Sequence, residues 1–295
     1  MPSALIIGID SLIGAAFAEA LIARGIAVIG TTRRAQSSGP GAQIVLDLAA
    51  VDAAHVQLPS VDVAVLCAAM ARFADCREHP VVARRVNVSI PAVLAARLVR
   101  AGAHVILLST SAVFDCRSPR VPADRSVSPK TAYGALKAEA EAAILALGTQ
   151  ASVLRLTKVI TPRMPLFVSW IGALSRGEAI EAFADLTFSP ITMFDVLTGL
   201  LAILADQGGG IYQLSGAEDV SYAEAARYLA DKAGVGDDRV KAVRAIDRGI
   251  PESEVTRYTS LDTSRLSGLT GWRPPAAIHV LNTVFSTSFR EERRG

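Results

Sequence analysis

Tyr133 and Lys137 lie four residues apart in an alanine-rich stretch, a spacing that places both side chains on one face of a helix. A free tyrosine phenol has a pKa of about 10, so it exchanges protons poorly at neutral pH. A lysine ammonium one turn away favours the phenolate and lowers that pKa. We therefore expect Tyr133 to act as an acid or base towards a substrate oxygen, although a Tyr and a Lys at this spacing also occur on exposed helix faces.

A short apolar run precedes this helix and ends in hydroxyl side chains. Residues 105–108 predict a strand buried on both faces, and Ser109, Thr110 and Ser111 follow it directly. Thr110 is therefore expected to offer a second hydrogen-bonding group to the substrate oxygen. Residues 128–129, a serine followed by a proline, predict the cap and first turn of the helix that carries the tyrosine.

A second candidate site follows the first apolar run of the chain, residues 4–7. A turn with glycine at both ends comes next, and a helix is predicted from there to Arg24. Strand, glycine turn and helix in this order is the context of a dinucleotide-binding loop, in which backbone N–H groups at the helix start face the pyrophosphate. A plain strand-to-helix turn is the alternative. The candidate cofactor residues of this loop are Gly8, Asp10, Ser11, Leu12, Ile13 and Gly14.

The residues after the second predicted strand, 26–30, bear on the choice of cofactor. A carboxylate at this point accepts hydrogen bonds from the ribose of NAD, whereas arginine accommodates the 2′-phosphate of NADP. Arg33 and Arg34 follow the strand, and no Asp or Glu accompanies them. We therefore expect NADP(H) as the preferred cofactor. NAD(H) is the alternative if both arginines are simply solvated.

The block STSAVFD at residues 109–115, together with Tyr133 and Lys137, resembles the active-site block of the extended short-chain dehydrogenase/reductase family. Within that family it is most similar to the dTDP-dehydrorhamnose reductase branch, whose pattern is S-T-D-Y-V-F-D-G. The resemblance implies that Thr110, Tyr133 and Lys137 form a catalytic triad, in which the lysine also holds the nicotinamide ribose. The chain departs from the branch pattern at three positions: Ser111, Ala112 and Cys116.

The same resemblance assigns further residues to the cofactor. The segment after the third predicted strand, 44–46, corresponds to the part of the family beside adenine, and the segment after the fourth, 61–66, to its N-x-A-A loop. A helix predicted over 79–100 carries the family's V-N motif, whose Asn supports the lysine through a bound water; a lone Asn in a helix is otherwise a surface residue. These residues are Asp47, Leu48, Cys67, Ala68, Ala69 and Asn87.

Substrate recognition is expected to involve cations, since a guanidinium binds phosphate in a bidentate manner. Each such cation can equally be an ordinary surface charge. Ser111, which replaces the Asp of the branch, is added to them as a substrate residue. The candidates are Ser111, Arg155, Lys158, Arg163 and Arg257.

The composition is that of a globular protein without a strong overall charge. The chain has 295 residues, of which 51% are hydrophobic, and a formal net charge of +2. This balance favours neither a nucleic acid nor a membrane as partner, and the longest apolar run, 63–71, is far shorter than the ~20 residues of a membrane span. The amino terminus lacks the basic region of a signal peptide, so we expect a cytoplasmic protein.

Cysteine and histidine residues are too scattered to predict a metal site. The three cysteines are spaced like neither a zinc motif nor a redox motif, so reduced thiols are expected. The four histidines stand singly and are expected to be structural or solvated. The residues concerned are Cys67, Cys76, Cys116, His55, His79, His104 and His279.

Predicted strands and helices alternate up to a sixth strand, 152–156, which predicts an α/β fold with a doubly wound parallel sheet of the Rossmann type. We assign residues 1–158 to an NAD(P)-binding domain. Glycine, proline and shorter elements dominate residues 159–295, and the resemblance makes this a smaller substrate-binding region with some elements returning to the sheet. The helix of Tyr133 and the preceding helix are expected to offer a homodimer face, unless their small residues merely pack on the sheet.

These features together predict an NAD(P)-dependent oxidoreductase that transfers hydride between the nicotinamide and a carbonyl or alcohol of a sugar. The resemblance implies that this sugar is nucleotide-linked. Two alternatives stay open. An epimerase or dehydratase would return the hydride to its own substrate. A non-catalytic regulatory or sensor subunit would only bind the cofactor, and the resembled family includes such a case in the regulatory subunit of methionine adenosyltransferase.

Overall fold

The computed structural model describes residues 2–34 and 40–286. The strands in this part of the chain are β1 (Ser3–Ile7), β2 (Ala27–Thr32), β3 (Ala42–Val45), β4 (Val63–Leu66), β5 (His104–Thr110), β6 (Ala151–Leu156), β7 (Lys158–Val159), β8 (Ile180–Phe183), β9 (Thr187–Phe188), β10 (Pro190–Ile191), β11 (Gly210–Leu214), β12 (Val220–Ser221) and β13 (Val240–Val243). The helices are α1 (Leu12–Ile22), α2 (Phe73–Glu78), α3 (Pro80–Arg84), α4 (Ile90–Arg100), α5 (Ala132–Leu145), α6 (Pro165–Ser175), α7 (Met193–Asp206), α8 (Tyr222–Ala233), α9 (Ser264–Thr270) and α10 (Ala277–Phe285).

Seven strands form one parallel sheet in the order β11-β6-β5-β4-β1-β2-β3. The chain winds outward in one direction from β1 to β3 and in the other from β4 to β6. In such a sheet a crevice opens at the carboxyl ends of the two central strands, β1 and β4 here. The predicted Rossmann-type α/β fold is thereby confirmed.

Apolar side chains cover both faces of this sheet. One face packs against α4 and α5, with Leu94 and Ile144 among the buried residues. The other face packs against α1 and α7, through residues such as Phe17 and Leu200. Burial on both faces explains why the sheet strands read as continuous apolar runs, and it fixes the strand ends relative to the helices that begin there.

A second apolar core lies entirely within residues 160–285. Phe167, Trp170, Phe188 and Tyr222 form its aromatic centre, with the rings of Phe188 and Tyr222 4.6 Å apart. Three short strand pairs border it: β7 with β10, β8 with β13, and β9 with β12. We propose residue 158 as the boundary between an NAD(P)-binding domain and this second region. Part of the second region returns to the first, because β11 joins the large sheet and α7 packs on it.

Two element boundaries near the site differ from those predicted. The helix that carries Tyr133 begins at Ala132, not at the predicted Ser128–Pro129 cap, and its N-cap is Thr131. The backbone N–H of Ser128 instead donates to the carbonyl oxygen of Val113 at 2.9 Å, which holds this serine in the preceding loop. The helix predicted over 79–100 is interrupted by a π-helical turn at Arg85–Ser89, a feature that often accompanies functional sites.

Within the ranges that the structure describes, no helix is both long enough and apolar enough to cross a membrane.

Candidate active site

The loop between β1 and α1 packs closely against the loop that follows β4. Gly8 has a φ of 92°, a left-handed conformation that favours glycine, and a Cβ added to it would lie 2.6 Å from the backbone nitrogen of Ala68. A Cβ added to Gly14 would lie 2.4 Å from the carbonyl oxygen of Gly8. Both glycines are therefore required by close backbone approach. The resulting turn leads into the N-terminal end of α1, and this cradle fits a pyrophosphate.

Ser11, between the two glycines of the loop, acts as the N-cap of α1. Its φ of −73° suits any residue, and its hydroxyl oxygen accepts a hydrogen bond from the backbone N–H of Gly14 at 3.0 Å. The serine is thus accommodated without strain, and its own hydroxyl proton can still be donated. Leu12 and Ile13 form the first turn of the helix, with Leu12 exposed.

The end of β2 carries the two predicted arginines and also a carboxylate from another loop. Arg33 and Arg34 are exposed. The hydroxyl of Thr32 donates a hydrogen bond to Asp10 of the glycine loop and accepts one from the backbone N–H of Arg34 at 3.0 Å. A carboxylate therefore lies at this strand end although none follows β2 in the sequence. Charge at this end of the crevice does not by itself decide between NADP and NAD.

The loop after β4 is held in place from two sides. The backbone N–H groups of Cys67 and Ala68 both donate to the carbonyl oxygen of Ile7, at 2.9 and 2.8 Å. The side chain of Asn87 accepts from the backbone N–H of Met70 and donates to its carbonyl oxygen, each at 2.9 Å. Asn87, buried in the π-helical turn, thus fixes this loop beside the crevice. Its support of the lysine through a water stays a prediction.

The remaining predicted cofactor residues differ in their exposure to solvent. Asp47 is exposed, and its carboxylate accepts a hydrogen bond from the backbone N–H of Ala49 at 2.9 Å. Leu48 is buried in the core under the sheet, whereas Ala69 is exposed. Asp47 and Ala69 are therefore accessible to a ligand, and Leu48 contributes to packing.

The structure brings the start of α5 directly onto the turn that follows β5. Thr110 ends β5, and a 3₁₀ turn, Ser111–Val113, comes next. A Cβ added to Gly134 would lie only 2.1 Å from the carbonyl oxygen of Ala112, so the residue after Tyr133 touches this turn. The hydroxyl oxygen of Thr110 accepts from the backbone N–H of Ala112 at 3.2 Å, which leaves its proton for a substrate oxygen.

Tyr133 is half-buried and packs against an aromatic ring. Its ring lies 5.8 Å from that of Phe73, and no residue in the described part of the chain hydrogen-bonds its hydroxyl. Burial, with a smaller contribution from Cys76, raises the pKa of Tyr133 to about 12. The chain by itself therefore does not lower the phenol pKa as the sequence led us to expect. The dominant cause is that burial disfavours the charged phenolate.

Lys137 is buried with only 3% of its surface exposed. Burial lowers the pKa of Lys137 to about 8, against the opposing effects of Glu141 and Cys67. Among the described residues none forms a hydrogen bond or an ion pair with its ammonium. Lys137 in turn lowers the pKa of the Cys67 thiol, but burial has the larger effect and raises that pKa to about 12. A buried ammonium without a partner indicates a group kept for a ligand.

Behind α5 lies a fully hydrogen-bonded cluster that we call the paired cluster: Ser109, Glu141, Arg155 and Gln213. The guanidinium of Arg155 holds the carboxylate of Glu141 at 2.7 Å from Nη2 and 3.0 Å from Nε. Ser109 donates to the same carboxylate at 2.5 Å, and Gln213 accepts from Arg155 Nη1 at 3.3 Å. The expectation that Arg155 binds a substrate phosphate is therefore corrected, because its guanidinium is buried and engaged with this cluster.

A cavity of about 260 Å³ lies in front of the turn that follows β5, and we call it the substrate cavity. Its wall includes two of the predicted substrate residues, Ser111 and Lys158, together with Thr110. Phe73, against which Tyr133 packs, also lines it. The other two candidates, Arg163 and Arg257, are exposed and do not line it.

Among the cavity residues that were not identified from the sequence are Phe73, Thr157, Tyr222 and Glu254. A signal for Thr157 was present, because it follows a buried strand in the same way that Thr110 does. The other three come from a short helix, from the N-terminal end of α8 and from a loop after β13. Only the tertiary structure brings these segments to the sheet.

Residues 2–34 and 40–286 contain no group of three or more His, Cys, Asp or Glu side chains that could hold a metal ion. All three cysteines are free thiols.

The chain is similar to known proteins in both sequence and fold. The chain matches the family model of the RmlD substrate binding domain over residues 3–287. It is 31% identical over 242 residues to the dTDP-4-dehydrorhamnose reductase of Mycobacterium tuberculosis (strain CDC 1551 / Oshkosh), covering 77% of this chain and 79% of that protein. It is also 26% identical over 243 residues to the methionine adenosyltransferase 2 subunit beta of Bos taurus, covering 76% and 70%.

Solved structures show the same fold. MoeE5 in complex with UDP-glucose and NAD superposes with a TM-score of 0.81 at 22% identity, covering 98% of this chain and 99% of that chain. The dTDP-4-dehydrorhamnose reductase of Bacillus anthracis str. Ames in complex with NADP also has a TM-score of 0.81, at 20% identity, covering 97% and 100%. With its family model matched over nearly the whole length, the chain belongs to the RmlD substrate-binding-domain family of the short-chain dehydrogenase/reductase type, as its active-site motifs predicted.

Proposed function

We propose that this protein is an NAD(P)-dependent reductase of a nucleotide-linked sugar. The observation that carries the proposal is the contact between α5 and the turn after β5. Gly134, the residue after Tyr133, lies against Ala112 of that turn, and both Thr110 and Ala112 line the substrate cavity. The sequence relation to dTDP-4-dehydrorhamnose reductases supports a sugar carbonyl as the reacting group.

The residues have separate tasks in this reaction. The hydroxyl of Thr110, whose oxygen already accepts a backbone hydrogen bond, donates its proton to the substrate oxygen. Tyr133 gives its phenolic proton to the same oxygen as the carbonyl is reduced. Lys137 supplies the positive charge that stabilises the phenolate left behind. A bound nicotinamide supplies the hydride and, once oxidised, a second positive charge.

NADP(H) is the cofactor that we propose, with NAD(H) as the alternative. Gly8 and Gly14 form a cradle that any larger side chain would fill, and Ser11 can donate to a phosphate oxygen. Arg33 and Arg34 are exposed at the end of β2, in position for a 2′-phosphate. Asp10, which lies at the same strand end, favours the ribose hydroxyls of NAD and is the reason to measure both.

A cytoplasmic homodimer is proposed as the assembly. The outer faces of α4 and α5 expose Val93 on one helix and the small residues Ala135 and Ala142 on the other. Two such helices from each protomer can pack closely, because small side chains let the backbones approach.

A cofactor-binding regulatory subunit is the second candidate. The relation to the beta subunit of methionine adenosyltransferase 2 favours it. The tyrosine, lysine and threonine of the triad are all present, and the Thr110 hydroxyl lines the cavity with its proton still available, which favours an enzyme instead. An internal-redox epimerase or dehydratase would use the same residues, and it would retain its cofactor through purification.

The proposal is tested by measuring the oxidation of NADPH and of NADH with dTDP-4-dehydrorhamnose as substrate. The loss of the absorbance of the reduced nicotinamide reports the reaction. We expect Tyr133→Phe to abolish turnover while the affinity for the cofactor stays nearly unchanged. Tyr228→Phe is a matched control, since that hydroxyl bonds Asn282 on the far side of the second region. Full activity of Tyr133→Phe would overturn the proposed mechanism. Tight cofactor binding without any oxidation by the unchanged protein would favour the regulatory subunit.

A further inference from the structure

The hydroxyl of Thr157 is buried and lacks a hydrogen-bond partner among the described residues. Only 8% of the residue is exposed, yet it lines the substrate cavity. Buried hydroxyl groups nearly always have a partner, since an unsatisfied one destabilises the folded protein. The hydroxyl of Thr157 is therefore matched to a group that is not part of the chain.

The sheet register places Thr157 next to the catalytic threonine. Thr110 at the end of β5 is paired with Leu156 at the end of β6, so Thr157 is one residue beyond the partner of Thr110. The backbone N–H of Thr157 is fixed by the carbonyl oxygen of Leu214 at 3.2 Å. The two threonines therefore reach the same end of the cavity from neighbouring strands.

The next residue adds a positive charge. The ammonium of Lys158 lies 5.6 Å from the ring centre of Tyr222, and no ion pair among the described residues includes it. Glu254 is the other charged residue of the cavity wall, and it is already paired with Arg77 at 2.5 Å. The cavity therefore holds an ammonium that no carboxylate of the described chain neutralises.

We infer that Thr157 and Lys158 together bind an oxyanion of the substrate beside the oxygen held by Thr110. A hydroxyl donor and an ammonium suit the oxygens of a diphosphate or of a sugar carboxylate, and both groups occur in nucleotide-linked sugars. The inference rests on the proposed function for this class of substrate. It adds two specificity-determining residues to the catalytic triad.

Thr157→Val tests the hydroxyl, because valine keeps the shape and removes the unsatisfied polar atom. We expect the melting temperature of the ligand-free protein to rise by roughly 2 °C. The matched control is Thr256→Val in the same cavity wall, whose hydroxyl donates to the carbonyl oxygen of Thr187 at 2.9 Å. That variant should melt at a lower temperature. A fall for Thr157→Val would show that its hydroxyl has a partner within the chain, and would overturn the inference.

Calorimetric titration with dTDP, dTDP-glucose, UDP-glucose and UDP-glucuronic acid tests the binding, with and without NADPH. We expect both Thr157→Val and Lys158→Met to weaken binding, on the order of tenfold for the lysine. An equal loss for all four probes identifies the diphosphate as the bound group, and a loss confined to UDP-glucuronic acid identifies the carboxylate. Lys232→Met is the control, since that ammonium lies over the ring of Tyr228, away from the cavity, at a similar 5.3 Å.

The inference would be overturned if both variants bound every probe as tightly as the protein without substitutions. It would also be overturned if the protein without substitutions bound none of the probes. The titrations and melting curves require no turnover. A protein that binds these probes through Thr157 and Lys158 but does not oxidise NADPH would therefore contradict the proposed reductase and not the oxyanion site.

Discussion

Two sets of polar side chains meet the carboxyl ends of β5 and β6, and they differ in whether their groups are paired. On the side of α5 that faces the sheet, Glu141 and Arg155 form a buried ion pair whose remaining atoms are bound by Ser109 and Gln213. On the side of the cavity, Thr157 has no partner within the described chain. Lys137 and Lys158 likewise form no ion pair there.

The difference separates groups that hold the fold from groups that act on a ligand. A buried charge is tolerated in a folded protein when its partner and its hydrogen bonds are present, as in the paired cluster. An unpaired buried group lowers stability, so it is retained only where a ligand completes it. By this criterion we assign Arg155 to the fold, and Lys137 and Thr157 to the proposed site.

The largest effect that tests this division is expected for Arg155→Met. The substitution leaves Glu141 buried without its cation, and breaking a buried ion pair costs about 3–5 kcal/mol of unfolding free energy. The free energy of unfolding in urea at pH 7 measures it. The double variant Arg155→Met with Glu141→Leu should lose less than the single one, because no charge is left unpaired.

A loss below about 1 kcal/mol for Arg155→Met would contradict the structural role of the arginine. Lys158→Met is the matched control, because it removes a cation of the substrate cavity and not one of the paired cluster. That ammonium forms no ion pair within the described chain and only lies over the ring of Tyr222, so its removal should leave the unfolding free energy nearly unchanged.

Lys137→Met is expected to stabilise the cofactor-free protein at neutral pH while removing activity. Folding lowers the pKa of this lysine from 10.5 to about 8, so the folded state binds its proton less tightly than the unfolded state. The cost of burying the ammonium is constant below pH 8, falls as pH rises from 8 to 10.5, and is absent above that. At about 1.4 kcal/mol per pKa unit, the full cost of burying the ammonium below pH 8 is about 3 kcal/mol of unfolding free energy.

Urea unfolding at pH 7, 8, 9 and 10 measures this effect as the difference between Lys137→Met and the unchanged protein. The gain in stability should be largest at pH 7 and shrink towards pH 10. The exposed Lys130 gives the control Lys130→Met, whose difference should stay small at every pH. A variant at Lys137 that is less stable at pH 7 would show that the ammonium has a partner within the protein.

The fold could be predicted from the sequence because it depends on local patterns, and the proposed triad rests on patterns of the same kind. The apolar run before Ser109, the glycine turn after β1 and the spacing of Tyr133 and Lys137 are each contained within a few residues. These patterns also identify the strand ends at which a parallel sheet binds its ligands. The start of α5 was misplaced because residues 128–129 have the sequence of a cap, while the hydrogen bond that the Ser128 N–H donates to the carbonyl oxygen of Val113 keeps this serine in the loop.

The division between paired and unpaired groups could not be predicted. Arg155 and Lys158 are both cations at one strand end, and the sequence made both of them substrate candidates. Only the packing of α5 against β6 brings Glu141 to Arg155, and it brings no carboxylate to Lys158. Asp10 is a similar case, since a loop distant from β2 in the sequence supplies the carboxylate at its end.

The smallest of these effects is expected for Ser109→Ala. The hydroxyl of Ser109 donates to the Glu141 carboxylate at 2.5 Å, and hydrogen bonds to a charged group contribute about 1.5–3 kcal/mol. The expected loss is near the lower limit of that range, because both carboxylate oxygens keep their bonds to Arg155. Ser152→Ala is the matched control in the neighbouring strand, since its hydroxyl is bonded to His104 at 2.8 Å, a bond between neutral groups worth about 1 kcal/mol. Equal losses for the two serines in urea unfolding would mean that the charge of Glu141 is already balanced by Arg155 alone, so that Ser109 adds no more than an ordinary hydrogen bond to the paired cluster.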